Sequence, residues 1–367
     1  MSELSCPECD ESREAGYAFC MRCGEPLRDC PECEAARANG SRFCPRCGRR
    51  LVEDPRSDPY RWLFWAAVAS SLLLAVLLSV ELIAMLTGTV ETWDWCSDGA
   101  LNVLVLIPTL EVAGVLEGLS LQIYWVFLVV AIAASVLLVF RQSAGAFISK
   151  DRTAGMIEKT PLFWLGLLFS ADLLLNLIVG LFNLGGSEIP TDLPLGPVPD
   201  AFLSFANAAV WEEVISRVVY IGIPMALVAL VRRRRDAPLF LLGGFGISRL
   251  SLVLIVVSAL VFGFAHESGW GLWKVLPTFI SGLVMGYLYV RFGIHVSIAF
   301  HFGVDYLAVL MDGPMLMAVS CMALAFMALG APCLAEVARR GYASRKRLKN
   351  APNLEPPAQE SIFRRRD

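Results

Sequence analysis

The chain has 367 residues, of which 56% are apolar and 18% charged, with a formal net charge of −3. Soluble domains run nearer 45–50% apolar and about 25% charged. The apolar excess is concentrated between about residues 62 and 334, which excludes a single soluble domain, a disordered chain and a secreted disulfide scaffold and predicts an all-α polytopic membrane protein with polar ends.

The N-terminal segment, residues 1–50, holds eight of the eleven cysteines as four Cys-x-x-Cys pairs: Cys6 with Cys9, Cys20 with Cys23, Cys30 with Cys33, and Cys44 with Cys47. A shift of 24 residues maps the first four onto the last four, so the segment is an internal repeat with four thiolates per copy. Two Cys three positions apart grip one tetrahedral ion from a tight turn. A unit of this size has almost no core, so the metal must supply much of its folding energy. The alternative is a pair of disulfide-knotted loops; matched four-cysteine repeats without a signal peptide favour zinc and a reducing compartment. The segment resembles the double zinc ribbon family, which implies two structural zinc ions. Its eight Arg are offset by nine Asp or Glu, so the basic surplus expected of a nucleic-acid binder is missing, and a protein partner or a purely structural role is expected.

A linker at 51–61 leads to eight expected spans, at about 62–86, 121–140, 162–183, 201–231, 250–267, 272–290, 294–310 and 314–334. The fourth is long enough to be tilted or broken near Gly222 and Pro224. Residues 100–116, interrupted by Pro108 and Glu111, read as a re-entrant or interfacial piece. Arg141, Lys150, Arg152 and Lys159 follow the second span, and Arg232, Arg233, Arg234 and Arg235 follow the fourth. The loops at 88–120 and 184–200 contain no Lys or Arg. The positive-inside rule then places both termini in the cytoplasm. The tail, 335–367, is basic, which reads as a topology signal with a secondary attraction to anionic lipid.

Ionisable residues at membrane depth are costly and therefore functional candidates. Glu81 and Asp172 are two. In the fourth span Glu213 and Arg217 stand four apart and share a helix face, while Glu212 is rotated by about 100° from Glu213. A structural ion network is the competing reading for Glu213 and Arg217. Phe262 precedes His266 by one turn, and His301 precedes Asp305 by one turn. His295, six residues before His301 and at a span edge, is expected to point elsewhere.

Glu-Glu-x-x-x-Arg at 212–217, Phe-x-x-x-His at 262–266 and His-x-x-x-Asp at 301–305, in this order on successive helices, resemble the motifs of the CAAX protease and bacteriocin-processing (CPBP, or Abi) family, which includes the type II CAAX prenyl endopeptidases. The stretch from Gly282 to Arg291 resembles that family's approach to its last motif, and the likeness covers about residues 160–334, behind N-terminal membrane helices at 62–159. The resemblance implies a glutamate-dependent peptidase that needs no catalytic metal. Glu212 and His266 would activate water, His301 and position 305 would form the oxyanion site, and Glu213 and Arg217 would hold Glu212. Phe262 would support His266. A peptide or protein substrate, prenylated or membrane-bound, is implied as partner within the lipid bilayer, which the resemblance implies is a cell membrane.

The chemistry is consistent with those roles. A carboxylate removed from water is a stronger base near neutral pH, and the oxyanion formed by hydrolysis needs preorganised donors. Asp305 departs from the Asn of the prenyl endopeptidases. An ionised Asp cannot donate to an oxyanion, so Asp305 either carries a proton or orients His301, the second being expected. Other membrane-protease signatures are absent: position 270 is Trp where a His-Glu-x-x-His motif needs His, and Ser281-Gly282 lacks the preceding Gly of a rhomboid site. Two His and a carboxylate also form a zinc donor set, so chelation separates a metal mechanism from a water-only one. The non-enzymatic alternative is a membrane scaffold or immunity-type protein that recruits a partner through the ribbons. A transporter would use the same charges as a proton path, but no inverted repeat of hydropathy is evident.

Overall fold

The computed structural model describes residues 59–106, 110–149, 154–182, 197–311 and 315–350. By contacts the chain divides at residue 59 into two units. The first contains the expected zinc ligands Cys6, Cys9, Cys20, Cys23, Cys30, Cys33, Cys44 and Cys47, all of which lie outside the described residues. The second unit is built from apolar helices: α1 (Pro59–Thr87), α2 (Thr89–Asp98), α3 (Gly118–Ile148), α4 (Ala154–Ile157), α5 (Pro161–Leu181), α6 (Val198–Val231), α7 (Arg249–Ala265), α8 (Glu267–Trp270), α9 (Leu272–Phe292), α10 (Ile294–Met311) and α11 (Leu316–Asn350). Among the described residues seven helices are long and apolar enough to cross a membrane: α1, α3, α5, α6, α9, α10 and α11. The protein is therefore an integral membrane protein. Their outward faces carry large apolar side chains such as Leu72, Val76 and Ile83 on α1 and Ile123, Phe127 and Val130 on α3, as a lipid-facing surface requires.

Each of the eight expected spans is a helix, but three expectations need correction or refinement. The span at 250–267 is α7, with 17 residues, about 25 Å at 1.5 Å per residue, shorter than a hydrocarbon core of about 30 Å. Its end therefore falls short of where a full span would end. The piece at 100–116 is an antiparallel hairpin of β1 (Ala100–Leu106) and β2 (Leu110–Glu117), with a register shift between Val103 and Leu104. Backbone pairing lets these two short β-branched and Leu-rich runs satisfy their own polar groups. The irregularity in α6 reaches Gly222, next to Pro224, but begins well before it: Ala208–Glu212 and Val214–Gly222 are π-helical, and regular α-helix resumes at Ile223. Pro224 has no N–H, and in an α-helix its ring would meet the carbonyl of Tyr220; the wider turn ending at Gly222 accommodates it. Such turns occur mostly at functional sites.

Local signals fix the helix starts that matter. Thr160 accepts a hydrogen bond from the Phe163 N–H at 3.3 Å with Pro161 in the first turn of α5, and Ser248 and Ser251 cap α7 reciprocally. The α7–α9 contact is made close by glycine: a Cβ at Gly282 would lie 3.1 Å from the Ala259 Cα, and one at Gly286 would lie 3.0 Å from Ile255, the small-residue packing favoured between helices in lipid. Helix α10 packs against α3, α5, α6, α9 and α11 and is the most buried of the spans. It delivers His301 to the interior.

Candidate active site

Four helices meet at the site. The π-helical stretch of α6 brings Glu212 and Glu213, the end of α7 brings Phe262 and His266, α9 brings Lys274 and Ser281, and α10 brings Ser297, His301 and Asp305. Glu212 lies well inside α6 and His266 is the cap residue of α7, and the short α7 is what lets the two approach. Glu212 Oε2 is 3.8 Å from His266 Nε2 and 4.0 Å from His301 Nε2. This oxygen is buried and has no hydrogen-bond partner among the described residues.

Glu213 is its opposite. It is fully buried and meets Arg217 Nε at 3.1 Å, His301 Nδ1 at 3.1 Å and the Ser297 hydroxyl. Arg217, also fully buried, donates to Ser258 Oγ at 2.8 Å, and its guanidinium lies 5.2 Å from the Phe262 ring centroid. The pair therefore holds His301, whereas the resemblance assigned it to holding Glu212. The wider π turn lets two adjacent carboxylates face the interior, where they approach opposite nitrogens of His301.

His266 donates from Nδ1 to the Phe262 carbonyl at 2.8 Å, since a carbonyl can only accept. In the neutral ring this leaves Nε2 as a lone-pair acceptor facing Glu212. Phe262 packs edge-on against both rings, with centroids 4.7 Å from His266 and 5.9 Å from His301. His301 Nε2 lies 3.3 Å from Asp305 Oδ2, so this ring has a carboxylate on each nitrogen. His295 turns away and meets Gln142 at 3.0 Å.

A cavity of about 280 Å³ opens beside these groups, lined in part by Asn176, Phe262, His266, Lys274, His301 and Asp305. One wall is a polar cluster between α5 and α9. Ser281 donates to Asp172 at 2.9 Å and Asn176 donates to Asp172 at 3.0 Å. Sequence reasoning missed Lys274, Asn176, Ser281, Ser258 and Ser297. Lys274 had a visible signal, a lone cation near the start of an apolar span; the hydroxyls had none, because Ser is ordinary in membrane helices. Among the described residues no group of three or more His, Cys, Asp or Glu side chains is arranged to hold a metal ion. The donor chemistry of the N-terminal segment, with Cys6, Cys9, Cys20 and Cys23 as one set of four thiolates and Cys30, Cys33, Cys44 and Cys47 as the other, fits two tetrahedral zinc ions.

Two family matches bear on these segments. Residues 194–307 match the type II CAAX prenyl endopeptidase Rce1-like family, and residues 6–48 match the double zinc ribbon. No curated protein matches the chain, and no solved structure does. The first match contains Glu212, Glu213, Arg217, Phe262, His266, His301 and Asp305, and it supports an intramembrane CAAX-type protease acting on a peptide or protein substrate in a membrane. The second spans all eight ribbon cysteines and supports zinc binding at the head. The chain thus combines a segment that matches the Rce1-like CAAX prenyl endopeptidases with an N-terminal segment that matches the double zinc ribbon, the two families that its motifs resemble.

Proposed function

We propose that the protein is an intramembrane endopeptidase in which Glu212 and His266 together activate the attacking water. The observation that carries this reading is the unpartnered, buried Oε2 of Glu212, 3.8 Å from His266 Nε2 and 4.0 Å from His301 Nε2. These gaps are too long for direct hydrogen bonds and suit one bridging water. A water donating one hydrogen to Glu212 and the other to His266 Nε2 turns a lone pair toward a carbonyl in the cavity. Glu212 takes the proton as the C–O bond forms and returns it to the leaving amine as the C–N bond breaks.

His301 faces the developing oxyanion. Its Nδ1 is held by Glu213, and its Nε2–H, which rests 3.3 Å from Asp305, is the donor that turns to the oxyanion in place of the amide an Asn at position 305 would provide. Asp305 acts as a positioning residue for His301, as does the Glu213–Arg217 pair. No step in this scheme requires a metal ion. The protease core is assigned to 160–334, with both termini cytoplasmic as the arginine-rich loops favour. New protein N-termini compared between cells carrying the wild type and Glu212→Ala at equal abundance test the reading. Termini present only with the wild type support it and name the substrates; identical sets across growth conditions refute it and leave the scaffold reading.

A further inference from the structure

The cavity contains a cation without an anion. Lys274, in the first turn of α9, lines the same space as His266, His301 and Asp305. Its Nζ stands 5.1 Å from the Trp270 ring centroid and 5.5 Å from that of Trp273. Two aromatic faces meet part of the electrostatic demand of an ammonium away from water, but among the described residues Lys274 Nζ has no hydrogen-bond or ion-pair partner. The carboxylates in its field are Asp305, Glu212 and Asp172. Asp172 is engaged by Ser281 and Asn176, Asp305 faces His301, and Glu212 faces the two histidines. Next to Lys274, Trp273 also lines the cavity, and its Nε1 is a buried donor with no acceptor among the described residues. Two adjacent residues thus present unused donors, one of them charged, where a substrate would enter. A carboxylate, with two acceptor oxygens and a negative charge, satisfies both.

We propose that Lys274, with Trp273 Nε1, receives a carboxylate of the substrate, and that this carboxylate is the free C-terminus of the peptide. The inference rests on the protease reading above. The choice of a terminus follows from the CAAX-type reading, in which the bond cut lies close to the chain end; a cavity of about 280 Å³ is of a size to hold such a tail. Anchoring the tail end at Lys274 fixes how many residues separate it from the bond presented to Glu212 and His266. Lys274 is in this sense a specificity-determining residue, and the released product is a short peptide acid.

The test uses the full-length protein and a farnesylated peptide ending in Cys-Val-Ile-Met, prepared as the C-terminal acid, as the amide, and as an amide with Asp at the last position. The wild type is expected to cleave the acid with a kcat/KM about tenfold or more above the plain amide. Lys274→Met brings that ratio to about one, and Lys274→Arg keeps it. An acid-to-amide ratio near one in the wild type, or a ratio unchanged by Lys274→Met, overturns the proposal. The second result, with both rates lowered together, would make Lys274 an oxyanion or structural group. If the Asp amide is cut as fast as the acid, a side-chain carboxylate suffices and tail counting falls. Cleavage of none of the three by the wild type overturns the CAAX-type reading itself, and this inference with it.

Discussion

Two adjacent glutamates that differ in their partners offer a direct test, because replacement of each by Gln changes charge with little change in shape. Glu213 and Arg217 are both 0% exposed, and the carboxylate also serves His301 and Ser297. Neutralising it leaves a buried guanidinium without its counter-charge, a loss of about 3–5 kcal/mol. Glu212 Oε2 has no hydrogen-bond partner to lose among the described residues, and its side chain is 30% exposed. Glu212→Gln is therefore expected to change stability by no more than about 1 kcal/mol, in either direction, as replacement of a functional group held at a cost to the fold often does. Peptidase activity should fall by about 10²–10⁴-fold, the span attributed to a positioned general base. Unfolding of the purified protein in mixed micelles by increasing mole fraction of dodecyl sulfate, alongside cleavage of a peptide substrate, measures both. A Glu212→Gln protein as destabilised as Glu213→Gln would make Glu212 one more member of the ion network, and the division between the two carboxylates would be refuted.

Two further outcomes are expected. Elemental analysis should find two zinc ions per chain, falling to one in either Cys6→Ser or Cys30→Ser, and chelation that strips the zinc should leave peptide cleavage by the membrane unit intact; loss of cleavage in proportion to zinc would favour a metal at Glu212, His266 and His301. Cys96, buried in α2, has its thiol pushed from 9.0 to about 11 by burial. The unfolded chain ionises first, so the folded state should lose stability as the pH rises from about 9 to 11, and Cys96 should resist maleimide at pH 8 until the chain is unfolded.

Apolar run length was enough to locate the helices, because a bilayer demands a run of a given length whatever its neighbours. It could not reveal the hairpin, whose two strands together have the length of one span; Pro108 and the alternation of Val and Leu were its only trace. Nor could it reveal the π turns, since backbone hydrogen-bond register leaves no mark on hydropathy. The site divides similarly. Motif order named Glu212, His266, His301 and Asp305, and the structure places them together. The partner of Glu213, His301, is 88 residues away in sequence, and helical spacing speaks only to neighbours within a turn or two. Lys274 stood out as a lone cation near the start of an apolar span, but what it faces is not legible until the cavity beside it is seen.

The π-helical stretch of α6 also changes what a change of length would do. An ordinary helix absorbs a one-residue deletion by rotating everything beyond it by about 100°. In α6, a deletion within Val214–Gly222 can instead be taken up by tightening the wide turn into regular α-helix. The segment behaves as stored slack. A single residue missing between Val214 and Ser216 would turn Glu212 and Glu213 relative to Arg217 while leaving the ends of the span where they were.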